Sequence, residues 1–155
     1  MNEESNLAAA KTDVQRKTLD QRAQMDELQR IRHSCAHILA TAVLRLWPEA
    51  ILDIGPPTDE GYYYDFELSH RFSPEDFPRI EEEMRKVVKE NQVFEKSIKT
   101  REEARAFFAG KGQKFKVERL GDIPEGEPIS FYQNGEFVDL CAGPHVMRTG
   151  NVKAF

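Results

Sequence analysis

Two cysteines, Cys35 and Cys141, are all that 155 residues contain. A lone pair cannot build the dense disulfide framework of a small secreted domain, so a reducing compartment is expected. Long apolar runs are missing too. The longest early one, residues 7–10, is too short for a signal-peptide core, and nowhere do about 18 apolar residues run together to span a membrane. Excess positive charge is likewise absent: 22 Lys and Arg against 27 Asp and Glu give a formal net charge of −5. Binding of nucleic acid through bulk charge is excluded, and any such contact must be local. The Gly110-Lys111-Gly112 segment follows a helical pattern and lacks a third glycine, so it is no dinucleotide loop; no phosphate-binding P-loop and no Gly-x-Ser-x-Gly elbow occurs. Repeats and low-complexity tracts are absent. A cytoplasmic protein with no membrane partner is the expectation.

What is present suits one domain with a true core, since 39% of the residues are hydrophobic. Residues 1–25 are polar, with Leu7, Val14 and Leu19 too sparse for a packed face, and read as a tail or linker, helical at most transiently. The domain proper is placed at 26–155. Leu28, Ile31, Cys35, Ile38, Leu39, Ala42, Val43 and Leu46 form one stripe at about 100° per residue. The spacing predicts a core helix that stops at Pro48.

Residues 51–54 and 62–68 read as strands around the Gly55-Pro56-Pro57 turn. Ser73-Pro74-Glu75-Asp76 reads as a helix start with Ser73 as cap and Phe72 stapled on Phe77; Phe77, Ile80, Met84, Val87 and Val88 make its buried stripe. Thr100-Arg101-Glu102-Glu103 opens a short helix that buries Ala104, Phe107 and Phe108. Strands are expected at 93–98, 115–120, 129–132, 137–141 and 152–155. The fold class is therefore α+β, a mainly antiparallel sheet packed with a long core helix and two further helices.

Candidate chemistry lies in two close pairs. His33 and His37, four apart on the long helix, face the same way and away from its apolar stripe. Cys141 and His145 flank a Gly143-Pro144 turn that holds them near each other. These are four residues of metal-ligand type at spacings compatible with zinc. Asp139 alternates with Cys141 and shares its strand face, with a sheet-edge carboxylate as the plainer reading. Lys116 alternates with Phe115 and Val117; on pattern it is a surface lysine, and in a cleft it would steady an oxyanion or take a proton. Tyr62 and Tyr64 share a face. Lys111, Lys114, Lys116 and Arg119 make a modest basic stripe that reads as a solvated face.

Five motifs in order carry a family resemblance: His33-Ser34-Cys35-Ala36-His37, Ile54-Gly55-Pro56, Gly61-Tyr62-Tyr63-Tyr64-Asp65-Phe66, Phe115-Lys116-Val117-Glu118, and Asp139-Leu140-Cys141-Ala142-Gly143-Pro144-His145. Together they resemble the editing domain of bacterial threonyl-tRNA synthetase, the second N-terminal domain of that enzyme. The resemblance implies the fold of threonyl- and alanyl-tRNA synthetase editing domains and a hydrolase that removes serine from threonine tRNA. It implies catalytic residues His33, His37, Lys116, Asp139, Cys141 and His145, with Tyr64, Gly55 and Asp139 binding substrate. His33 and Lys116 would activate water or transfer a proton, and Asp139 would meet the substrate ammonium or orient Lys116. No cofactor is expected; a zinc ion, if used, would take His33, His37, Cys141 and His145. Expected partners are the aminoacylated 3′ end of threonine tRNA and the remaining synthetase domains, with dimerisation through a catalytic domain the chain lacks. The chain reads as a piece of a longer synthetase. Ala142 departs from the arginine that many family members carry there. The competing readings are a freestanding or alanine-type zinc-dependent deacylase and a non-catalytic tRNA-binding module.

Overall fold

The computed structural model describes residues 16–155; the expectation for the first part of the tail lies outside them. Thr18 and Gln21 form a reciprocal capping box that opens helix α1, Leu19–Ala23. A second box, Asp26 with Gln29, opens α2, Glu27–Leu46. Trp47 ends α2 because the residue before a proline is pushed out of the helical region and Pro48 has no N–H to continue the ladder.

Two apolar clusters grip α2. Cys35, Ile38, Ala42 and Val43 pack with Trp47, Met84, Val87 and Phe94, while Ala36 and Ala40 pack with Leu52, Tyr64 and Phe137. The helix is therefore buried on two sides, as its wide apolar circumference predicts. Leu28, placed in the core stripe by periodicity, is 53% exposed instead, because it lies in the first turn beyond the reach of both clusters.

Strands β1, Ile51–Leu52, and β2, Phe66–Glu67, pair antiparallel, but both are shorter than expected. The pairing continues as single bonds, Asp53 N to the Asp65 carbonyl and Asp65 N to that of Ile54, before the prolines at 56 and 57 remove the donors a ladder needs. Helix α3, Asp76–Glu90, starts later than Ser73 suggests. Asp76 folds its carboxylate back onto the Ser73 N–H at 2.9 Å, and Pro78 then falls in the first turn, where a missing N–H costs nothing. Ile80, Met84 and Val87 are buried, but Phe77 is 53% exposed, so the expected staple to Phe72 is not formed; Phe72 packs on Trp47 instead.

The larger sheet has the order β3-β4-β5, with β3 Glu95–Lys99, β4 Ile129–Asn134 and β5 Phe137–Leu140, antiparallel throughout. Between β3 and β4 lie α4, Arg101–Gly110, and α5, Lys114–Leu120. Thr100 caps α4 as expected. The strand expected at 115–120 is a correction: those residues are α5. Six residues are too few for periodicity to separate helix from strand, and tertiary contacts decide it. Leu120 is fully buried with Phe108, Ile123 and Phe131, and Arg101 donates to the carbonyls of Leu120 and Ile123, which the end of a helix leaves open. The last residues form a 3-10 turn, Thr149–Asn151, and no strand follows; Val152 is buried by α2 and α3 residues rather than by sheet pairing. The fold is α+β with antiparallel sheets, and it holds five α-helices among the described residues rather than three.

Candidate functional site

The register of the larger sheet delivers one half of the site. Pairing of Tyr132 with Asp139 and of Phe131 with Leu140 ends β5, and the Cys141 N–H then bonds to the Ser130 carbonyl at 3.0 Å. Beyond it the chain turns at Gly143, whose φ of +74° favours glycine and whose missing side chain leaves room for the Tyr132 hydroxyl, 2.5 Å from where a Cβ would stand. The Gly143-Pro144 peptide is cis. This turn lays His145 back against α2, where the i, i+4 spacing has placed His33 and His37 side by side.

Four side chains converge there. Cys141 Sγ lies 3.3 Å from Nε2 of His33 and 3.3 Å from Nε2 of His145, and accepts the Gly143 N–H at 3.3 Å. The rings of His33 and His145 stack with centroids 4.1 Å apart, and His37 stands 4.2 Å from His145. His33 and His37 are buried, whereas Cys141 and His145 are half-buried. The site is thus closed behind and open at the turn.

Behind His37 lies a charged network with almost no exposure. Asp139 meets His37 Nε2 at 3.1 Å and Lys116 Nζ at 2.6 Å, and it accepts the Tyr64 hydroxyl at 2.8 Å. Lys116 also donates to the Tyr64 oxygen at 2.8 Å and to the Asp53 carbonyl. Two of its N–H donors are thereby hydrogen-bonded, and Asp139 Oδ1 meets it as an ion-pair contact. Lys116 is 4% exposed, so neither the strand nor the surface reading holds: α5 turns it inward. The rest of the basic stripe stays on a solvated face as its pattern predicts, with Lys114 paired to Glu67 and Arg119 taking the Asp53 carboxylate with two nitrogens at 2.7 and 2.8 Å. Gly55 serves the network indirectly. A Cβ there would stand 2.2 Å from Cδ2 of Tyr64, so glycine lets that ring lie flat on the backbone and reach Asp139. Of the tyrosine pair, Tyr64 reaches the network, and Tyr62 packs toward the α2–α3 core.

Electrostatics divide the site. Burial alone would raise the Asp139 carboxyl, but Lys116 and His37 outweigh it and hold Asp139 below the usual carboxylate range, hence ionised. Burial pushes the Tyr64 phenol well up, with the Asp139 charge adding to it. Burial works against charge on His37 as well, yet the Asp139 carboxylate overrides it and raises that imidazole. The other two rings go the opposite way. Burial brings His33 down to about 4, against the Pro144 carbonyl bond and with Arg22 adding to the fall. Burial, His33, His37 and Arg22 together hold His145 well below its ordinary value.

Arg22 was invisible in a segment read as a tail. From α1 it donates to the Gly143 carbonyl at 2.8 Å and so ties the first described helix to the turn. The Thr18-x-x-Gln21 capping box is the signal that reveals α1; nothing in sequence reveals the arginine's target. Ser34, named only as a motif member, touches both the Arg30 carbonyl and His145.

The donor set also fits a metal ion. His33, His37, Cys141 and His145 each offer one ligand atom, and these lie within 4.8 Å of one another. Tetrahedral zinc, with bonds of about 2.3 Å to sulfur and about 2.0–2.1 Å to nitrogen, sets neighbouring ligand atoms about 3.3–3.6 Å apart. Between sulfur and nitrogen that geometry asks for about 3.5–3.6 Å, so the two 3.3 Å distances come within about 0.3 Å of it, and His37 Nδ1 is buried without a partner among the described residues.

Comparison with known proteins now bears on the same residues. Residues 129–155, which include β4, β5 and the turn, match the family model described as the threonyl and alanyl tRNA synthetase second additional domain. The chain is 54% identical over 124 residues to a threonine–tRNA ligase of Acetivibrio thermocellus and 56% identical over 124 residues to that of Carboxydothermus hydrogenoformans, in each case across 80% of this chain and 20% of the relative. It is 53% identical to the threonine–tRNA ligase of Syntrophomonas wolfei over 79% of its length and 19% of the relative's. The chain thus spans about a fifth of the length of these relatives. No helix among the described residues is long and apolar enough to cross a membrane. With the matched residues building the turn that carries Asp139, Cys141 and His145, and identity above one half over four-fifths of the sequence, the chain belongs to the second additional domain family of threonyl- and alanyl-tRNA synthetases, on the threonyl side.

Proposed function

We propose that this chain is a proofreading hydrolase that removes serine misattached to threonine tRNA by directing water onto the ester linking amino acid and terminal ribose. The need is physical. Serine is threonine less one methyl, a difference worth only roughly 1 to 3 kcal/mol in a binding pocket, so a second site multiplies selectivity. The observation that carries the reading is the division of the site: a half-open cluster of His33, His145 and Cys141 stands in front of the buried Lys116–Asp139 ion pair. Water attack on an ester requires a group that takes the water's proton, and a base works best with a pKa near the working pH. His37 suits this better than His33. The Asp139 carboxylate orients its ring and raises its basicity, whereas His33 at about 4 is a weak base. Lys116 then acts through Asp139, with which it is paired behind His37, and Cys141, His33 and His145 shape the polar wall facing the ester. Threonine tRNA and the remaining synthetase domains are the partners this reading implies.

A second reading is favoured by the donor set. The same four side chains, His33, His37, Cys141 and His145, would hold zinc, which supplies Lewis acidity toward a carbonyl or a bound water. The chain's own contribution would be unchanged, with Asp139 fixing the His37 ring from behind.

Deacylation of seryl- and threonyl-charged threonine tRNA by this chain, with metal content measured before and after chelation, tests both. Loss of serine far faster than threonine, unaffected by chelation, is the expected result. Activity that vanishes with the chelator and returns with zinc selects the second reading, and loss of neither amino acid at high protein concentration overturns the function.

A further inference from the structure

Counting protons in the cluster assigns a role to a residue that no motif explains. Ser34 lies inside α2, fully buried, and its hydroxyl touches three groups: the Arg30 carbonyl at 2.8 Å, the Val146 N–H at 3.1 Å and His145 Nδ1 at 3.1 Å. A hydroxyl has one proton to give. The carbonyl can only accept, so the Ser34 proton goes to Arg30, the usual bond from a helical serine to the carbonyl four residues back. The Val146 N–H can only donate, and it fills one lone pair of the oxygen. The remaining lone pair faces His145 Nδ1, which must therefore carry a hydrogen.

We propose that Ser34 is a positioning residue that locks His145 in the Nδ1–H form, so that its Nε2 faces Cys141 as a lone pair. The same reasoning applies to His33, whose Nδ1 lies 3.0 Å from the Pro144 carbonyl and must donate to it, leaving Nε2 bare toward the same sulfur. Two imidazole lone pairs thus meet one thiol, which has a single proton for both. The cluster is one proton short of satisfying itself, and it is held that way by groups outside it: a serine on α2 and a backbone carbonyl in the turn. Such a wall accepts hydrogen bonds rather than giving them. What it can receive is a water with two protons, an ammonium, or a cation, and each of these belongs to the reaction proposed above, on which the catalytic part of this inference rests. The tautomer itself does not depend on that reading. Removal of the Ser34 hydroxyl leaves His145 Nδ1 with no acceptor, and the ring then gains by moving its hydrogen to Nε2, where the Cys141 sulfur waits. The wall would then present a donor in place of a lone pair.

The test is nitrogen-15 NMR of histidine-labelled chain at neutral pH with chelator present, comparing the parent with Ser34→Ala and Ser34→Thr, and with the backbone amide spectrum recording that each variant is folded. In the parent the His145 spectrum should show hydrogen on Nδ1. In Ser34→Ala it should move to Nε2, and serine release from the charged tRNA should fall about 10- to 100-fold, mostly in kcat, as when a group orienting a functional histidine is lost. Ser34→Thr keeps the hydroxyl and should retain the Nδ1–H form and most of the activity. A parent spectrum with hydrogen on Nε2, or an Nδ1–H form that persists in folded Ser34→Ala, overturns the proposal. A parent with the expected tautomer but no hydrolysis leaves the lock standing and refutes the function instead.

Discussion

The two halves of the site are both clusters of polar side chains packed against His37, and they treat charge in opposite ways. Behind His37, charge is admitted to the interior and then pinned. Lys116 and Asp139 lie 2.6 Å apart, each almost wholly buried, with Tyr64 and His37 on the other carboxylate oxygen and the Asp53 carbonyl on the ammonium. In front of His37, charge is kept out. His33 and His145 are driven toward neutrality by burial, and their outer nitrogens are committed to a carbonyl and a hydroxyl. The difference teaches where protons are free to move. A buried ion pair is a fixed electrostatic base plate, whereas the two neutral imidazoles beside the thiol offer lone pairs to the protons of whatever enters from the half-open side.

The sharpest way to break this contrast is to unpair the back. Lys116→Met removes the cation and leaves Asp139 as a buried carboxylate, so we expect a loss of about 3–5 kcal/mol in urea unfolding and abolished deacylation. The double change Lys116→Met with Asp139→Leu removes both ions and should regain most of that stability, since replacing a buried pair by apolar groups is often close to neutral. Its activity should not return. Equal stability of the single and double variants would mean that the pair is not the electrostatic unit described here.

The next test probes the front by pH. A histidine whose folded pKa lies below its ordinary value of 6.5 binds protons more readily when unfolded, so stability rises with pH through that window. For His33, at about 4, the contribution is complete above roughly 6.5 and is lost as pH falls toward 4, on the order of 3 kcal/mol, with His145 acting in the same direction. His37 has the opposite sign: its raised value gives stability that is full below 6.5 and is lost as pH climbs through the folded value. Asp139, held low, matters only below the ordinary carboxylate range near 3.9, where its contribution begins to fade. Unfolding measured from pH 7.5 to 4 in chelator should therefore show a fall between 6.5 and 4 that shrinks in His33→Asn. A flat profile there would remove the neutral front from the comparison.

How much of this was legible beforehand depended on whether local pattern or tertiary contact decided the matter. Helix α2 could be read because its caps, its stripe and Pro48 agree, and the i, i+4 spacing put His33 and His37 together with no help from the rest of the chain. The Gly-Pro turn likewise announced that Cys141 and His145 would be close. Lys116 was misread because Phe-Lys-Val alternates like a strand over a length at which a short helix looks the same; the Arg101 side chain, whose carbonyl contacts come from 19 and 22 residues away, secures the helix end. Arg22 and Ser34 were missed for a related reason. Their partners are 121 and 111 residues distant, and neither residue differs in type from hundreds that do nothing of the kind.

The smallest expected effect comes from the residue that shares a helix with the largest. Arg119 lies three positions after Lys116 in α5, and both reach Asp53, but by different atoms: Lys116 takes its backbone carbonyl from inside, and Arg119 takes its carboxylate from outside with a side chain 42% exposed. Water competes for the outer pair and salt screens it, while the Asp122 carboxylate at 3.3 Å is a further partner for the same guanidinium. Arg119→Ala should thus cost about 0.2–1 kcal/mol in urea unfolding, less at high salt, and leave serine release within about twofold of the parent. The carboxylate it abandons is itself partly exposed and can be rehydrated, a recourse that Asp139 does not have. A loss comparable to that of Lys116→Met would show that Asp53 must be held from both sides to keep Lys116 in place, and the boundary between the pinned interior and the solvated rim would then lie one turn further out along α5.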